Sequence, residues 1–271
     1  MAAPEEPAVS GDRNLALFCD FENIALGVRD SQYADFDMRL VVQKLLVKGS
    51  IVVKKAYCDW ERYKSYKKAM HEAAFELIEI PHVRQSGKNS ADIRMVVDAL
   101  DLCYTKEHIE TFVIISGDSD FSPLVSKLRE NAKTVIGVGV KNSTSDLLIS
   151  NCDEFIYYDD LAREVLASRK DSKPARRAPA AKAQPQKDRK QEAIDLVLET
   201  TTALLAERGD AVRLWGSMVK QTLKRRHPGF SESFYGFASF NELLEEAQNR
   251  GYLKLELDEK SGGFIIESVT P

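Results

Sequence analysis

Four aspartates stand where acidic side chains can act together on one ligand. Asp20 closes the apolar run ALFC, with Glu22 and Asn23 just beyond it in C-D-F-E-N. Asp118 and Asp120 follow TFVIISG in S-G-D-S-D-F, and Asp92 opens a helical stretch just after the extended IPHV. In open α/β sheets, ligands gather at the carboxyl ends of the strands. Three chain-distant segments therefore deliver carboxylates to one edge. Carboxylates gathered this way repel one another unless a cation neutralises them. Mg²⁺ and Mn²⁺ are hard cations that prefer oxygen ligands. Such an ion polarises a phosphoryl oxygen and lowers the pKa of a bound water, which is what phosphodiester hydrolysis requires. The His and Cys residues lack zinc-ligand spacing, which argues against zinc chemistry.

Each acid also has an ordinary reading. Asp20 can end a strand in a turn, and Asp92 can favour a helix N-terminus electrostatically. Asp118 and Asp120 can be loop and N-cap residues, with Asp120, shortly before Pro123, the better cap candidate. Asp98 and Asp101 follow Asp92 on the same helix. Asp98 lies roughly 120° off the face of Asp92, so both read as surface or support. Lys88, just ahead of Asp92, is either a contact for a scissile phosphate or a solvated loop lysine. Tyr63, Tyr66 and Met70 fit a buried stripe, with Lys64, Lys67 and Lys68 on the wet face.

The elements that must position these acids alternate. NLALFCDF, SIVVKKAYCDW, ELIEIPHV, TFVIISGD, KTVIGVGV and CDEFIYY read as strands. DFDMRLVVQKLLVKG, ERYKSYKKAMHEAAFE, NSADIRMVVDALDLCY, SPLVSKLRENAK and DLAREVLAS read as helices. Gly49 is a stop signal, Ser90 an N-cap candidate, and Pro123 suits a first turn. Repeated βα units with continuous apolar strands imply a mainly parallel sheet covered on both faces.

At 271 residues the chain is long enough for two domains at roughly 150 residues each. Its composition, 44% hydrophobic and 30% charged, excludes a fully disordered or collagen-like chain. The net charge of −4 is unevenly distributed. Residues 1–167 carry 20 Lys and Arg against 27 Asp and Glu, residues 168–191 carry 9 against 2, and residues 192–271 carry 9 against 13. The expected division is a catalytic domain at 11–167, a basic Pro/Ala-rich flexible linker at 168–190, and a second domain at 191–271. The linker is a solvated spacer, or a spacer that also holds nucleic-acid phosphate. No run approaches the roughly 18 apolar residues of a membrane span. MAAPEEPAVSGD lacks the basic start and apolar core of a signal peptide. Scattered cysteines suit buried thiols in a reducing compartment, so the expected location is cytoplasmic.

The second domain begins with the amphipathic EAIDLVLETTTALLAERGD, continues through LWGSMVKQTLKRRHPGF and SFNELLEEAQNRGY, and closes with a hairpin, YLKLELD and GGFIIES. Three helices and a hairpin suggest a winged-helix α+β module. Lys220, Lys224, Arg225, Arg226 and His227 form a basic helix end. It can bind nucleic acid or simply complement the helix dipole. Tyr235 lies on a nearby loop, where it can stack on a base. Trp215, Phe230, Phe234, Phe237 and Phe240 read as core.

CDFENI, KNSADIRMVVDALDL and FVIISGDSDFSPLVSKLRENAKTVIGVGV together resemble the NYN domain, a LabA-like branch of the PIN-like nucleases, over roughly residues 13–160. The resemblance implies a PIN-like, Rossmann-like α/β sandwich and metal-dependent cleavage of RNA. It assigns the metal positions to Asp20, Asp92 and Asp118, with Asp120 as the fourth, and places Asn23 and Ser116 as polar residues lining the same pocket. LWGSMVKQTLKRRHPGFS, YGFASFNELLEEA and the closing hairpin resemble the OST-HTH/LOTUS module over roughly 192–268, which implies RNA binding or docking of a protein partner.

The combined expectation is a Mg²⁺- or Mn²⁺-dependent ribonuclease. Asp20, Asp92, Asp118 and Asp120 serve as catalytic and metal residues. Asn23, Ser116, Lys88, Lys220, Lys224, Arg225 and Arg226 bind substrate. A non-catalytic RNA-binding adaptor that retains the acidic pocket is the main rival. A phosphatase is distant, because its D-x-D appears here as Asp20-Phe21-Glu22. A DNA nuclease would use the same metal chemistry. RNA preference, endo- or exonucleolytic action, metal count and oligomeric state stay open.

Overall fold

The computed structural model describes residues 13–31, 36–80, 90–170, 186–208, 213–258 and 262–269. The chain divides into two compact units, Met1–Glu164 and Val165–Pro271. Among the described residues no helix is long and apolar enough to cross a membrane.

The first unit is built on six parallel strands: β1 (Asn14–Asp20), β2 (Ser50–Cys58), β3 (Glu76–Glu79), β4 (Ile109–Ile115), β5 (Thr134–Gly139) and β6 (Glu154–Tyr157). Their order is β3-β2-β1-β4-β5-β6. The chain builds outward from β1 through β2 to β3, then returns to lay β4 on the other side of β1. The boundary between β1 and β4 is therefore the point where the winding reverses, and a crevice opens there at the strand ends. The strands are apolar throughout because both sheet faces are covered. Along β1, Leu15, Leu17 and Cys19 enter one core layer while Ala16 and Phe18 enter the other, as the two-residue period of a strand dictates.

The helices are α1 (Phe21–Asp30), α2 (Met38–Leu46), α3 (Lys64–Glu72), α4 (Ser90–Thr105), α5 (Ser122–Glu130), α6 (Asp146–Asn151) and α7 (Tyr158–Lys170). Two of them correct the sequence reading. α1 occupies a stretch that carried no helix expectation, although Phe21, Ile24, Ala25 and Val28 all lie on its buried face. α6 fills the gap before β6. Gly49 lies beyond the end of α2 at φ +155, where an added Cβ would meet the Arg13 carbonyl oxygen at 2.1 Å. The α3 stripe holds: Met70 is buried, and Tyr63 and Tyr66 pack edge-on against Phe21. Cys19, Cys58, Cys103 and Cys152 are free and buried. Asp98, read as support, accepts from the Tyr57 hydroxyl at 2.9 Å, Lys55 at 3.2 Å and Arg94 at 3.0 Å. It thereby ties α4 to β2.

The second unit holds α8 (Gln186–Arg208), β7 (Leu214–Trp215), α9 (Gly216–Arg226), α10 (Phe240–Asn249), β8 (Leu253–Asp258) and β9 (Gly263–Val269). The sheet is antiparallel in the order β7-β9-β8. β7 is a correction, since Leu214 and Trp215 were read with the helix that follows. They pair instead with Ile266 and Ile265 of β9. Of the five aromatics read as core, Phe230, Phe237 and Phe240 are buried, while Trp215 and Phe234 are half-buried. The expected linker at 168–190 is entered by helix at both ends, α7 reaching Lys170 and α8 beginning at Gln186. Residues 171–185 lie outside the described residues.

Candidate active site

The site forms where β1 and β4 end. Asp20 is the last residue of β1 and the N-cap of α1, its Oδ1 accepting from the Asn23 backbone N–H at 3.4 Å. A carboxylate satisfies the open N–H groups of a helix start, which is why the strand can turn directly into the helix. Beyond β4, the Ser116 hydroxyl donates to Asp20 Oδ2 at 3.0 Å and accepts from the Asp118 N–H at 3.2 Å. The Asn23 side-chain oxygen accepts from the Gly117 N–H at 2.8 Å. The two strand ends are thus stitched together by Ser116 and Asn23.

Gly117 makes this stitch possible. A Cβ there would sit 2.4 Å from the Ser143 carbonyl oxygen and 3.0 Å from Thr144 Cα. Both are backbone atoms that cannot swing aside. The Gly117 carbonyl also accepts from the Ser145 N–H at 2.9 Å. Gly117→Ala is expected to destabilise the fold by about 1–3 kcal/mol through overpacking, seen as a lowered thermal midpoint. An unchanged midpoint would show that the turn relaxes freely.

Asp20, Glu22, Asn23, Asp59, Asp92 and Asp118 line a cleft of about 330 Å³, with Leu26, Tyr57, Cys58, Ile80 and Ala91 as its less polar wall. The expected residues divide accordingly. Asp20, Asp92, Asp118 and Asn23 are brought together. Ser116, which the resemblance places in the pocket lining, is 0% exposed and outside that lining; it orients Asp20 and Asp118 from below. Asp120 is exposed and outside the lining, yet near enough to act on Asp92 electrostatically. The cap role considered for Asp120 belongs to Asp118, whose Oδ1 accepts from the Asp120 N–H at 3.0 Å over a short 3-10 turn, Ser119–Phe121. Lys88 lies outside the described residues.

Glu22 and Asp59 complete the acidic lining although the expected set omits them. Asp59 directly follows β2, so the strand-end rule that picked out Asp20 and Asp118 applies to it equally. Glu22 is met by Arg62 at 3.3 Å. No Lys or Arg lines the cleft among the described residues. The crowding acts on the carboxyl groups themselves. Burial and then the Asp92 charge push the Asp20 carboxyl up to about 7, against the hydrogen bonds from Ser116 and Asn23 that favour its ionised form. Burial, followed by Asp118, Asp120 and Glu22, pushes Asp92 upward too.

These residues suit a hard cation. Among the described residues no three acids converge on one point closely enough to enclose an ion. Mg²⁺ does not require that, since it retains several waters and takes one or two carboxylates directly. Burial, with Glu22 and Asp59, drives the Cys58 thiol upward, which disfavours its thiolate form. The available donors are oxygen.

The family model described as "NYN domain" matches residues 14–160. The chain belongs to the NYN domain family. This family lies within the PIN-like nuclease superfamily, and the six-stranded parallel sheet flanked by helices agrees with that fold. An uncharacterized protein of Methanocaldococcus jannaschii is 28% identical over 167 residues, which cover 60% of this chain and 64% of that protein. The NYN chain thus spans under two thirds of that relative's length. A solved protein of unknown function from Vibrio parahaemolyticus matches with a TM-score of 0.50 at 23% identity, covering 57% of this chain and 98% of its own. At that identity the likeness concerns the fold.

In the second unit the basic end of α9 is partly spent internally. Lys220 pairs with Glu232 at 2.8 Å and lies over the Phe240 ring, and Arg226 pairs with Glu199. Lys224 is half-buried near Glu232, while Arg225 is exposed. Tyr235, expected to be available for a base, stacks on Phe230 at 5.3 Å and meets Phe234 edge-on at 4.9 Å. Its ring is engaged within the unit's own aromatic cluster.

Proposed function

We propose that this NYN protein is a Mg²⁺- or Mn²⁺-dependent ribonuclease, acting as an endonuclease on RNA phosphodiester bonds. The observation that carries the reading is the meeting of Asp20, Asp92 and Asp118 at the winding reversal of a parallel sheet, in a cleft that no Lys or Arg lines among the described residues. Asp20, Asp92 and Asp118 would hold the metal, with Asp120 supporting from the rim. When bound, the ion supplies Lewis acidity toward a phosphoryl oxygen and an acidified water. The chain's own part is orientation. Ser116 fixes the Asp20 carboxylate, Asp118 is held by the turn it caps, and Asn23 holds the Gly117 backbone. Leu26, Ile80 and Ala91 give the cleft an apolar side.

The order helix, strand, helix, helix, hairpin, with β7 edging the hairpin, supports reading the second unit as a winged-helix OST-HTH/LOTUS module. Its proposed ligand is RNA, with a protein partner as the alternative. Arg225 is the cation best placed for phosphate. Arg225→Glu is expected to weaken RNA binding several-fold and to reduce the slope of log affinity against log salt by about 1, as fluorescence anisotropy across a salt series would reveal. An unaltered slope would remove Arg225 from the interface. Buried free thiols and the lack of a spanning helix among the described residues support a cytoplasmic setting.

The deciding experiment incubates end-labelled single-stranded RNA with the purified chain and Mn²⁺, with and without EDTA, beside Asp118→Asn. Cleavage lost in both controls supports the nuclease, and internal fragments support endonucleolytic action. The non-catalytic RNA-binding adaptor is favoured by one observation: among the described residues no three acids stand close enough to enclose an ion. It predicts a shifted RNA band and no cleavage.

A further inference from the structure

The outer face of α4 carries an apolar stripe that its own unit covers only at Leu100 among the described residues. Met95, Ala99 and Cys103 turn inward. Ile93, Val97 and Tyr104 are 61%, 55% and 62% exposed, and Leu100 between them is half-buried. At about 100° per residue the four fall within about 60° of arc, roughly 130° from the buried face. Their alternating spacing of four, three and four residues is that of a seam between paired helices. Single exposed apolar residues are ordinary on a protein surface, whereas a continuous stripe marks an interaction face.

We propose that α4 pairs with α4 of a second copy of this chain, antiparallel about a two-fold axis. Charge selects both the partner and the direction. Arg94 and Asp101 are both exposed and lie on the same flank of the stripe, about 20° apart around the helix. Setting Ile93 against the partner's Tyr104, and Val97 against the partner's Leu100, brings Arg94 beside the partner's Asp101. Symmetry makes that contact twice, because a two-fold interface is self-complementary. Parallel two-fold pairing would instead put the two 94/101 flanks on opposite sides of the seam, so that Arg94 meets no partner carboxylate there. Arg94 can serve both contacts: its Nε donates to Asp98 at 3.0 Å, and its terminal nitrogens make no hydrogen bond among the described residues. Tyr104 is braced from beneath, its hydroxyl accepting from Asn131 at 3.3 Å while the ring stays exposed. α4 is about 24 Å long. One helix pair sits at the small end of specific interfaces, so the dimer is expected to be of micromolar affinity.

Sedimentation velocity of the full chain from about 1 to about 100 μM tests this. The wild type is expected to shift from monomer to dimer across the series. Val97→Lys should raise the dimer Kd at least about ten-fold by burying a charge in the seam. Arg94→Glu and Asp101→Lys should each weaken the dimer, and the double variant Arg94→Glu/Asp101→Lys should recover most of the wild-type affinity. Circular dichroism melts of each variant separate lost pairing from lost folding, and Asp101→Lys alters only an exposed side chain. A wild type that stays monomeric throughout overturns the proposal, whatever else covers the stripe. So does a dimer indifferent to Val97→Lys, or a double variant no better than its parents. The inference does not depend on the nuclease reading, since no variant removes an acid of the cleft.

Discussion

Asp118→Asn is expected to lower RNA cleavage by a factor on the order of 10²–10³ while RNA affinity stays level or rises slightly. The substitution is well contained. The Asn side-chain oxygen can still accept from the Asp120 N–H, so the short turn keeps its cap. The Ser116 hydroxyl contacts the backbone N–H of residue 118 rather than its side chain, so the link to Asp20 survives. What disappears is one formal charge facing the cleft, and with it a hard oxygen donor for a cation. Removing a negative charge from an acidic wall also eases the approach of phosphate, which is why binding should not fall. Single-turnover cleavage and anisotropy on the same preparations separate the two effects. Wild-type cleavage by the variant would take Asp118 out of the mechanism.

The second large effect concerns stability. Asp20 is 9% exposed, and its carboxyl lies near 7 instead of the ordinary 3.8. The sign follows directly. A folded-state value raised above the unfolded one means the folded chain holds the proton more tightly. This group's stabilising contribution is full below about pH 4 and is lost as pH rises toward and through 7. The gap corresponds to about 4 kcal/mol for Asp20 alone, and the upward push on Asp92 acts in the same sense. Metal-free protein should therefore bear a growing electrostatic load from pH 4 to pH 8. Asp20→Asn removes that load; its one side-chain oxygen can keep accepting from the Asn23 N–H, while its amide nitrogen donates to a Ser116 hydroxyl that has to turn. Denaturant melts without metal should find the variant close to wild type near pH 4 and more stable by several kcal/mol near pH 8. Added Mn²⁺ should then raise the wild-type midpoint at pH 8 by mass action and leave the variant nearly unmoved. A variant less stable than wild type at pH 8 would mean that the Asp20 charge is already compensated.

Much of this site was legible before any coordinates, because a parallel sheet collects its strand ends on one edge. Knowing that β1 and β4 are strands is enough to bring Asp20 and Asp118 together, although their adjacency depends on the winding reversal. Asp92 follows once α4 is taken to start at that edge. What escaped has physical causes. α1 was hidden because Asp20 is both the end of a strand and the cap of a helix, leaving no loop residues to separate the two patterns. β7 is two residues long, too short for any period to register. Ser116 sits in the motif beside Asp118, and sequence spacing carries no information about which of two neighbours faces solvent. Tyr235 lies in a turn region, yet Phe230 and Phe234 hold its ring. The omission of Asp59 was of another kind, since the rule that found Asp20 covered it as well.

The bond pattern around Ser116 divides the cleft into a fixed jaw and a separately hung one. Asp20, Asn23, Gly117 and Asp118 form a single bonded frame across two strand ends. None of them can shift without breaking a bond to the others. Asp92 shares no hydrogen bond with that frame among the described residues. It hangs from α4, which is held to the sheet by the packing of Met95, Ala99 and Cys103 and by the Asp98 junction with Lys55 and Tyr57. The strand-end frame is thus the cross-linked side of the cleft, and a change in its gape is expected on the α4 side. Substitutions at Lys55 and Asp98, neither of which lines the cleft, are therefore expected to alter its gape without removing an acid from it.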